Sequence, residues 1–442
     1  MLAYVDDLLL VGTKDKVLGT FDLLATELVM KKTGKLEDEG DTLHFLGRQL
    51  TKSNDAILLS MDGNYVAKIL EEANLTTCRP ALTPGSDALK RKIESEEELD
   101  TQGHSQYRRL VGQLLWLTPV RPDIAYAVKE LSRGVSRPTL EHLGKLKHLL
   151  RYLSGTRHFC IELRPKIHLH EKQTSMTITC HTDSDWAGCS STRKSTSGVL
   201  CSVLGVAICA LSRTQQTLAL SSGEAELYAL GLGVAESLFI KSLILEAGFV
   251  KTCNITLFTD STAGKSMATR WGTSRKTKHI ELRFLFVQEL ILSGVVVVKK
   301  ILGTLNPADI LTKYVSKDTL VRHLSSAGIL IRHLQSRPTL PVHAITCRAS
   351  ICSILLHTCI ESYERRDFLC VIMYTLSVFV DVYLHLIYTS FAALQDMFIY
   401  VHFICEAHQQ TLTWHKDTPE LGTSDEMNTS KMDRCIYTSE LN

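Results

Sequence analysis

The sequence predicts an α/β fold (α+β mixed) in which a mixed sheet is flanked by helices. Three observations carry this expectation. Short runs with period-two alternation, such as Thr177–Asp183 and Asn254–Thr259, read as strands. Longer stretches have helical spacing, above all Ser222–Ala247. The order is strands, then helix, then strand and helix again, at lengths that suit helices packed on a mixed sheet.

Taken in order, Tyr4–Val11 is mostly apolar around two acids and reads as a hairpin or buried strand. Phe21–Met30 has helical spacing, Leu43–Leu50 is strand-like, and Tyr65–Ala73 reads as a helix ending near Asn74. Residues 80–100 look like a linker, because Pro80, Pro84 and Gly85 give way to the charged run Lys90–Asp100. Helices are expected over Tyr107–Leu117, Pro122–Arg133 and Leu140–Leu153, punctuated by Pro119, Pro138 and Gly155. The strand Thr177–Asp183 follows, then two strands within Ser197–Ser212 joined near Leu204-Gly205. The helix Ser222–Ala247 is closed by Gly248 at a C′ position. After the strand Asn254–Thr259 come a helix over Ile280–Leu292 ending at Gly294, a strand over Val295–Ile301 and a short helix after Pro307.

Residues 319–442 differ in character. Phe368–Leu394 is apolar and long enough to span a bilayer, but Asp381 and His385 sit inside it, where ionisable groups are costly. The region is expected to be a tail with at most one apolar helix, and a membrane is not an expected partner. The 442 residues exceed one ordinary domain. Net charge is only +2, so whole-chain charge gives no argument for nucleic acid, and any such argument must rest on local patches. The 13 cysteines are odd in number and contain no C-x-x-C pair, which speaks for reduced intracellular thiols rather than a zinc site. Asp6 and Asp7 stand where a signal peptide would carry basic residues, so secretion is not expected.

Four acids stand where rigid backbone could aim them at one point. Asp183 and Asp260 end strands, Glu226 lies in the first turns of the long helix, and Asp309 lies in the first turn of the last short one. Converging carboxylates are what a two-metal hydrolase needs, since magnesium prefers hard oxygen ligands. Each position also has an ordinary reading as a turn former or cap. Asp185 competes with Asp183, and Glu224 with Glu226. Ser221 and Glu224 fit a capping box, which gives Glu224 a local task. Asn306 to Asp309 likewise read as N-cap to N3, so Asp309 could simply favour the helix dipole.

Five blocks carry a resemblance. They are His181-Thr182-Asp183-Ser184-Asp185-Trp186-Ala187-Gly188, Arg193-Lys194-Ser195-Thr196-Ser197-Gly198, Ala219-Leu220-Ser221-Ser222-Gly223-Glu224-Ala225-Glu226, Lys276-Thr277-Lys278-His279-Ile280 and Asn306-Pro307-Ala308-Asp309-Ile310-Leu311-Thr312-Lys313. In this order they resemble the ribonuclease H domain of copia-type retrotransposon Pol polyproteins. The resemblance implies a ribonuclease H-like fold over residues 171–318. It implies Asp183, Glu226, Asp260 and Asp309 as catalytic ligands of two Mg2+ ions, for which Mn2+ can substitute, and an RNA–DNA hybrid as substrate. Asp260 lies in the least typical block, Phe258-Thr259-Asp260-Ser261, where the family often has Cys-Asp-Asn. Contacts to the nucleic acid are expected from Arg193, Lys194, Arg213, Arg275, Lys276, Lys278, His279 and Arg283, with Arg270 in the same basic cluster. Solvated charge is the competing explanation for that cluster.

Upstream, Tyr4-Val5-Asp6-Asp7 resembles the reverse transcriptase catalytic motif, which implies Asp6 and Asp7 as further metal ligands. Phe45-Leu46-Gly47, Tyr107-Arg108-Arg109-Leu110-Val111-Gly112 and Arg121-Pro122-Asp123-Ile124-Ala125-Tyr126 resemble the polymerase and its connecting region. The expected division is a truncated palm and thumb remnant over 1–80, a helical connection over 81–170, the ribonuclease H-like domain over 171–318 and the tail over 319–442. A polymerase palm needs another aspartate from an earlier strand, and the sequence starts three residues before Tyr4. Polymerase activity is therefore expected to be lost, with hybrid cleavage retained. The rest of a Pol polyprotein is an expected partner. The alternative is an inactive fragment that only binds nucleic acid, which the four acids do not distinguish.

Overall fold

The computed structural model describes residues 1–4, 7–12, 14–53, 56–86, 97–164, 175–272, 282–330 and 343–349. Among the described residues it is a mixed α/β fold with three sheets.

The chain opens with the hairpin β1 (Leu2–Tyr4) and β2 (Asp7–Gly12), in which Leu2 faces Leu9 and Tyr4 faces Asp7. Helix α1 (Lys14–Glu27) and strand β3 (Met30–Leu36) follow. The expected helix over Phe21–Met30 is thus shifted, because Met30 belongs to β3. The stripe that docks the helix is Val17, Phe21, Leu24 and Leu28, packed on Leu8 and Leu10. That i, i+4, i+7, i+11 spacing begins among charged residues, ahead of the obvious apolar run.

The second sheet begins with β4 (Thr42–Phe45), β5 (Arg48–Ser53) and β6 (Ala56–Met61), and helix α2 (Gly63–Glu72) follows. Leu43–Leu50 is therefore a hairpin and not one strand. Leu46 and Gly47 take φ of +48° and +71°, which reverses the chain between β4 and β5. Three helices come next: α3 (Thr101–Leu117), α4 (Ala125–Ser132) after a 3-10 turn over Pro122–Ile124, and α5 (Leu140–Gly155). Pro122 opens that 3-10 turn, which delays the α-helix expected over Pro122–Arg133 by three residues. Strand β7 (Cys160–Leu163) then pairs with β6.

The third sheet carries the candidate site. Its strands are β8 (Ser175–Asp185), β9 (Thr196–Val203), β10 (Val206–Thr214), β11 (Thr252–Thr259) and β12 (Val296–Lys300), in the order β10-β9-β8-β11-β12. The first three are antiparallel, and β11 runs parallel to both β8 and β12. Helix α6 (Ser222–Glu246) lies on β8, β9 and β11. It is apolar almost all round, as a helix buried inside a core is. By length and composition it could cross a membrane, but 61% of that apolar window is buried against its neighbours here. Helices α7 (Thr262–Thr269) and α8 (Leu282–Leu292) follow β11, and a 3-10 helix over Pro307–Leu311 precedes helix α9 (Lys317–Ser326).

Strand pairing crosses the divisions expected near residues 80, 170 and 318. Ile57–Leu59 pair with Ile161–Leu163, and Ile329–Leu330 (β13) add to β7, completing the sheet β13-β7-β6-β5-β4. The segment His343–Ala349 (β14) lies between β2 and β3 in the remaining sheet, β1-β2-β14-β3. The start of the expected tail is thus built into the fold, whereas Phe368–Leu394 falls outside the described residues.

Candidate metal centre

The parallel pairing of β8 and β11 brings the first two acids together. His181 is opposite Phe258, so two residues further on Asp183 and Asp260 emerge at the same edge of the sheet. Strand β8 does not stop at Asp183, as expected. It continues to Asp185 because β9 still pairs with it there, with Asp183 opposite Gly198 and Asp185 opposite Thr196.

Glu226 is delivered by α6. Ser221 caps that helix by accepting from Glu224 N at 3.2 Å. The Glu224 carboxylate accepts from Leu220 N at 3.0 Å and from the Tyr228 hydroxyl, so it has the local task its place in the cap suggests. Glu226 points instead toward the strand edge. Its carboxylate accepts from Ser184 N at 3.3 Å and from Thr259 Oγ1 at 3.4 Å, one partner beside each of the two aspartates. Gly264 of α7 makes room for this placement. A Cβ there would lie 2.7 Å from Glu226 Cβ.

Asp309 arrives on the 3-10 helix. Asn306, fully buried, caps it by accepting from Ala308 N at 3.2 Å and ties it to the sheet by donating Nδ2 to Thr182 O at 2.9 Å. Thr312 donates its hydroxyl to Asp183. Gly198 of β9 permits this close seating, since a Cβ there would meet Ala308 O at 2.9 Å.

Asp183, Glu226 and Asp260 each offer an oxygen, and these oxygens lie within 4.8 Å of one another. Asp183 and Glu226 are 4% and 7% exposed. Burial, and then the nearby Asp309, push the Asp183 carboxyl up to about 7. Burial, and then Asp183, push Glu226 up to about 8. Asp260 is raised by burial and by Asp309. Like charges crowded at a poorly solvated edge are offset only in part by the Lys313 ammonium. Asp309 Oδ1 is buried without a hydrogen-bond partner, while its Oδ2 is 3.1 Å from Lys313 Nζ. A set of hard carboxylate oxygens with one oxygen unclaimed suits magnesium or manganese. These residues therefore fit a divalent cation, with Asp183, Glu226 and Asp260 as its holders.

The other expected residues fall elsewhere. Asp185 accepts the backbone amide of Thr196 and serves the strand pair. Arg193 is exposed, with φ of +55°, and Lys194 is half-buried beside it. Arg213, half-buried, faces the buried Glu236, Nη1 to Oε1 at 3.7 Å. Arg270 is exposed just after α7. Arg275, Lys276, Lys278 and His279 lie outside the described residues, as does the Arg283 side chain on α8. Asp7 belongs to the sheet of β1 and β2, separate from the sheet of Asp183 and Asp260, and Asp6 is outside the described residues. Asn306, Thr312 and Lys313 were not singled out by residue type. The signal for them is their place in the same block as Asp309.

Fold and site together define a mixed α/β protein with a cluster of carboxylates that could hold a divalent cation. No family model matches the chain. It is 30% identical over 330 residues to a retrovirus-related Pol polyprotein from transposon RE1 of Arabidopsis thaliana, covering 74% of this chain and 21% of that protein. It is 31% identical over 325 residues to the corresponding polyprotein from transposon TNT 1-94 of Nicotiana tabacum, covering 72% of this chain and 23% of the relative. An uncharacterized mitochondrial protein of Arabidopsis thaliana is 36% identical over 237 residues, which are 53% of this chain and 92% of the relative. The chain's homologues are retrovirus-related Pol polyproteins of copia-type transposons. It spans about a fifth of the length of the Pol polyproteins it matches.

Proposed function

We propose that residues 171–318 form a ribonuclease H-like domain that hydrolyses the RNA strand of RNA–DNA hybrids. On this reading residues 1–80 and 81–170 are the polymerase palm and thumb remnant and its helical connection. The observation that carries it is the convergence of Asp183, Glu226 and Asp260 within 4.8 Å, with Asp309 alongside, in a chain with such homologues.

When bound, two Mg2+ ions would make the attacking water a better nucleophile and stabilise the departing 3′-oxygen. The protein's own part is positional. Asp183 and Asp260 are fixed by strand pairing, and Glu226 is oriented by Ser184 N and Thr259 Oγ1. Without a cation, burial favours protons on Asp183 and Glu226, so occupancy of the site is coupled to their release. Exposed basic side chains such as Arg193 and Arg270 would hold phosphates without reading sequence. Contacts to the 2′-hydroxyl would distinguish RNA from DNA. The remainder of a Pol polyprotein is the natural partner in this reading.

The test is cleavage of an end-labelled RNA–DNA hybrid with magnesium. Asp183→Asn and Asp260→Asn should each abolish cleavage while hybrid binding at low salt persists. Cleavage at the wild-type rate in both variants refutes the assignment.

A further inference from the structure

The four carboxylates are not equivalent. Asp183, Glu226 and Asp260 form the trio whose oxygens lie within 4.8 Å, and Asp309 stands outside it. One oxygen of Asp309 is bonded to Lys313 Nζ at 3.1 Å, and the other is buried and unclaimed.

Backbone geometry builds this pair. Lys313 N donates to Asp309 O at 3.2 Å, a single turn that sets both side chains on the same side. Thr312, between them, reaches Asp183 with its hydroxyl. The ammonium therefore lies at the mouth of the acid cluster, in the field of Asp183 and Asp260 as well as Asp309. Its side chain is 52% exposed, so it has a way out to solvent, whereas that of Asp309 is 14% exposed.

An exposed pair four residues apart usually contributes little to stability. This one has a different setting, because its cation is placed where like charges need one. We propose that Lys313 is the resident cation of the fourth carboxylate: it holds Asp309 while one divalent ion occupies Asp183, Glu226 and Asp260, and it must release Asp309 before a second ion is held. The proposal rests on the metal-dependent reading of the same acids and adds a positioning residue to it. Lys313 competes with the second ion, so the second position fills only at a higher ion concentration than it would without the ammonium. A phosphate arriving at the site offers the displaced ammonium a new anionic partner.

The test uses Mn2+ alone as the probe, followed by its paramagnetic resonance signal as it binds the full chain in the absence of nucleic acid. The wild type should retain one ion tightly and a second weakly. Lys313→Met, which keeps the length and removes the charge, should tighten the second ion by about tenfold. Lys313→Arg should follow the wild type. Asp309→Asn should leave one tight ion. A Lys313→Met isotherm that coincides with the wild type, one tight ion being retained in both, overturns the role of Lys313 and leaves the metal centre standing. Failure of every protein to retain manganese overturns the metal centre, and this inference with it.

Discussion

An acid cluster of this construction should weaken the protein when no cation is bound, and one of the three converging acids should be the chief cause. Asp183 is buried beside Asp309, and its carboxyl is pushed from an ordinary 3.8 up to about 7. The folded state then binds a proton that the unfolded state has released, throughout the range between those values. The slope of stability with pH has the sign of protons bound in the unfolded state minus those bound in the folded state, so here it is negative. Stability contributed by this group is greatest at acid pH and falls as pH rises toward 7. Between pH 5 and 8 the loss from Asp183 alone is roughly 3 kcal/mol, at about 1.4 kcal/mol for each unit of pH below the folded value. Glu226, pushed up to about 8, adds a loss of the same sign. The assay is thermal unfolding in a chelator at pH 5 and pH 8, with and without excess magnesium. The metal-free wild type should melt lower at pH 8, and magnesium should restore it. Asp183→Asn removes the charge while keeping an oxygen to accept from Thr312. That variant should melt above the metal-free wild type at pH 8, respond less to magnesium, and show a shallower pH dependence. Unfolding temperatures that are flat across this range in the metal-free wild type, or a variant less stable than wild type at pH 8, would refute the reasoning.

Two further outcomes follow from packing. Asp123 is buried, takes both Nε and Nη2 of Arg121 at 2.9 and 2.6 Å, and accepts from the Tyr152 hydroxyl at 2.8 Å. Asp123→Ala strands a buried guanidinium and should lower stability by about 3–5 kcal/mol in urea unfolding. Gly264→Ala should weaken manganese binding with every acid intact, because its Cβ would press on Glu226 Cβ from 2.7 Å. Circular dichroism should remain that of the wild type, since alanine suits a helix better than glycine.

The long periodic elements were legible because their burial is regular. Ser222–Ala247 becomes α6 over Ser222–Glu246, and Asn254–Thr259 becomes the end of β11 over Thr252–Thr259. Turns that depend on single residues were less so. Leu46 has a positive φ that its side chain does not announce, and the hairpin it makes passed for a strand. Glycine at 205 after Leu204 did announce a turn, and β9 and β10 meet there. At the site, residue type and element ends pointed to the three acids that converge, Asp183, Glu226 and Asp260, and the capping pattern separated Glu224 from Glu226. The pairing of Asp309 with Lys313 was not legible, since a single helical turn between an acid and a base is common on any surface. Nor was the pairing of Arg213 with Glu236, which joins β10 to a helix residue 23 positions further along the chain.

Register explains why acids so distant along the chain can serve one cation. In a parallel strand pair, equal steps beyond a matched pair lead to the same edge, so Asp183 and Asp260 are brought together by the hydrogen bonding of residues 175–181 with 252–258. Glu226 and Asp309 are then seated against that edge by contacts that admit no side chain at Gly264 and Gly198. All of these constraints lie within one sheet and the helices against it. The sheet of Asp7 is assembled otherwise. Among the described residues its strands β2 and β3 are joined through β14, which follows the Asp183–Asp309 region in sequence. A change that disturbs residues 343–349 therefore bears on the setting of Asp7 and leaves the strand register of the Asp183–Asp260 edge intact, which makes Asp7 separable from that edge by mutation.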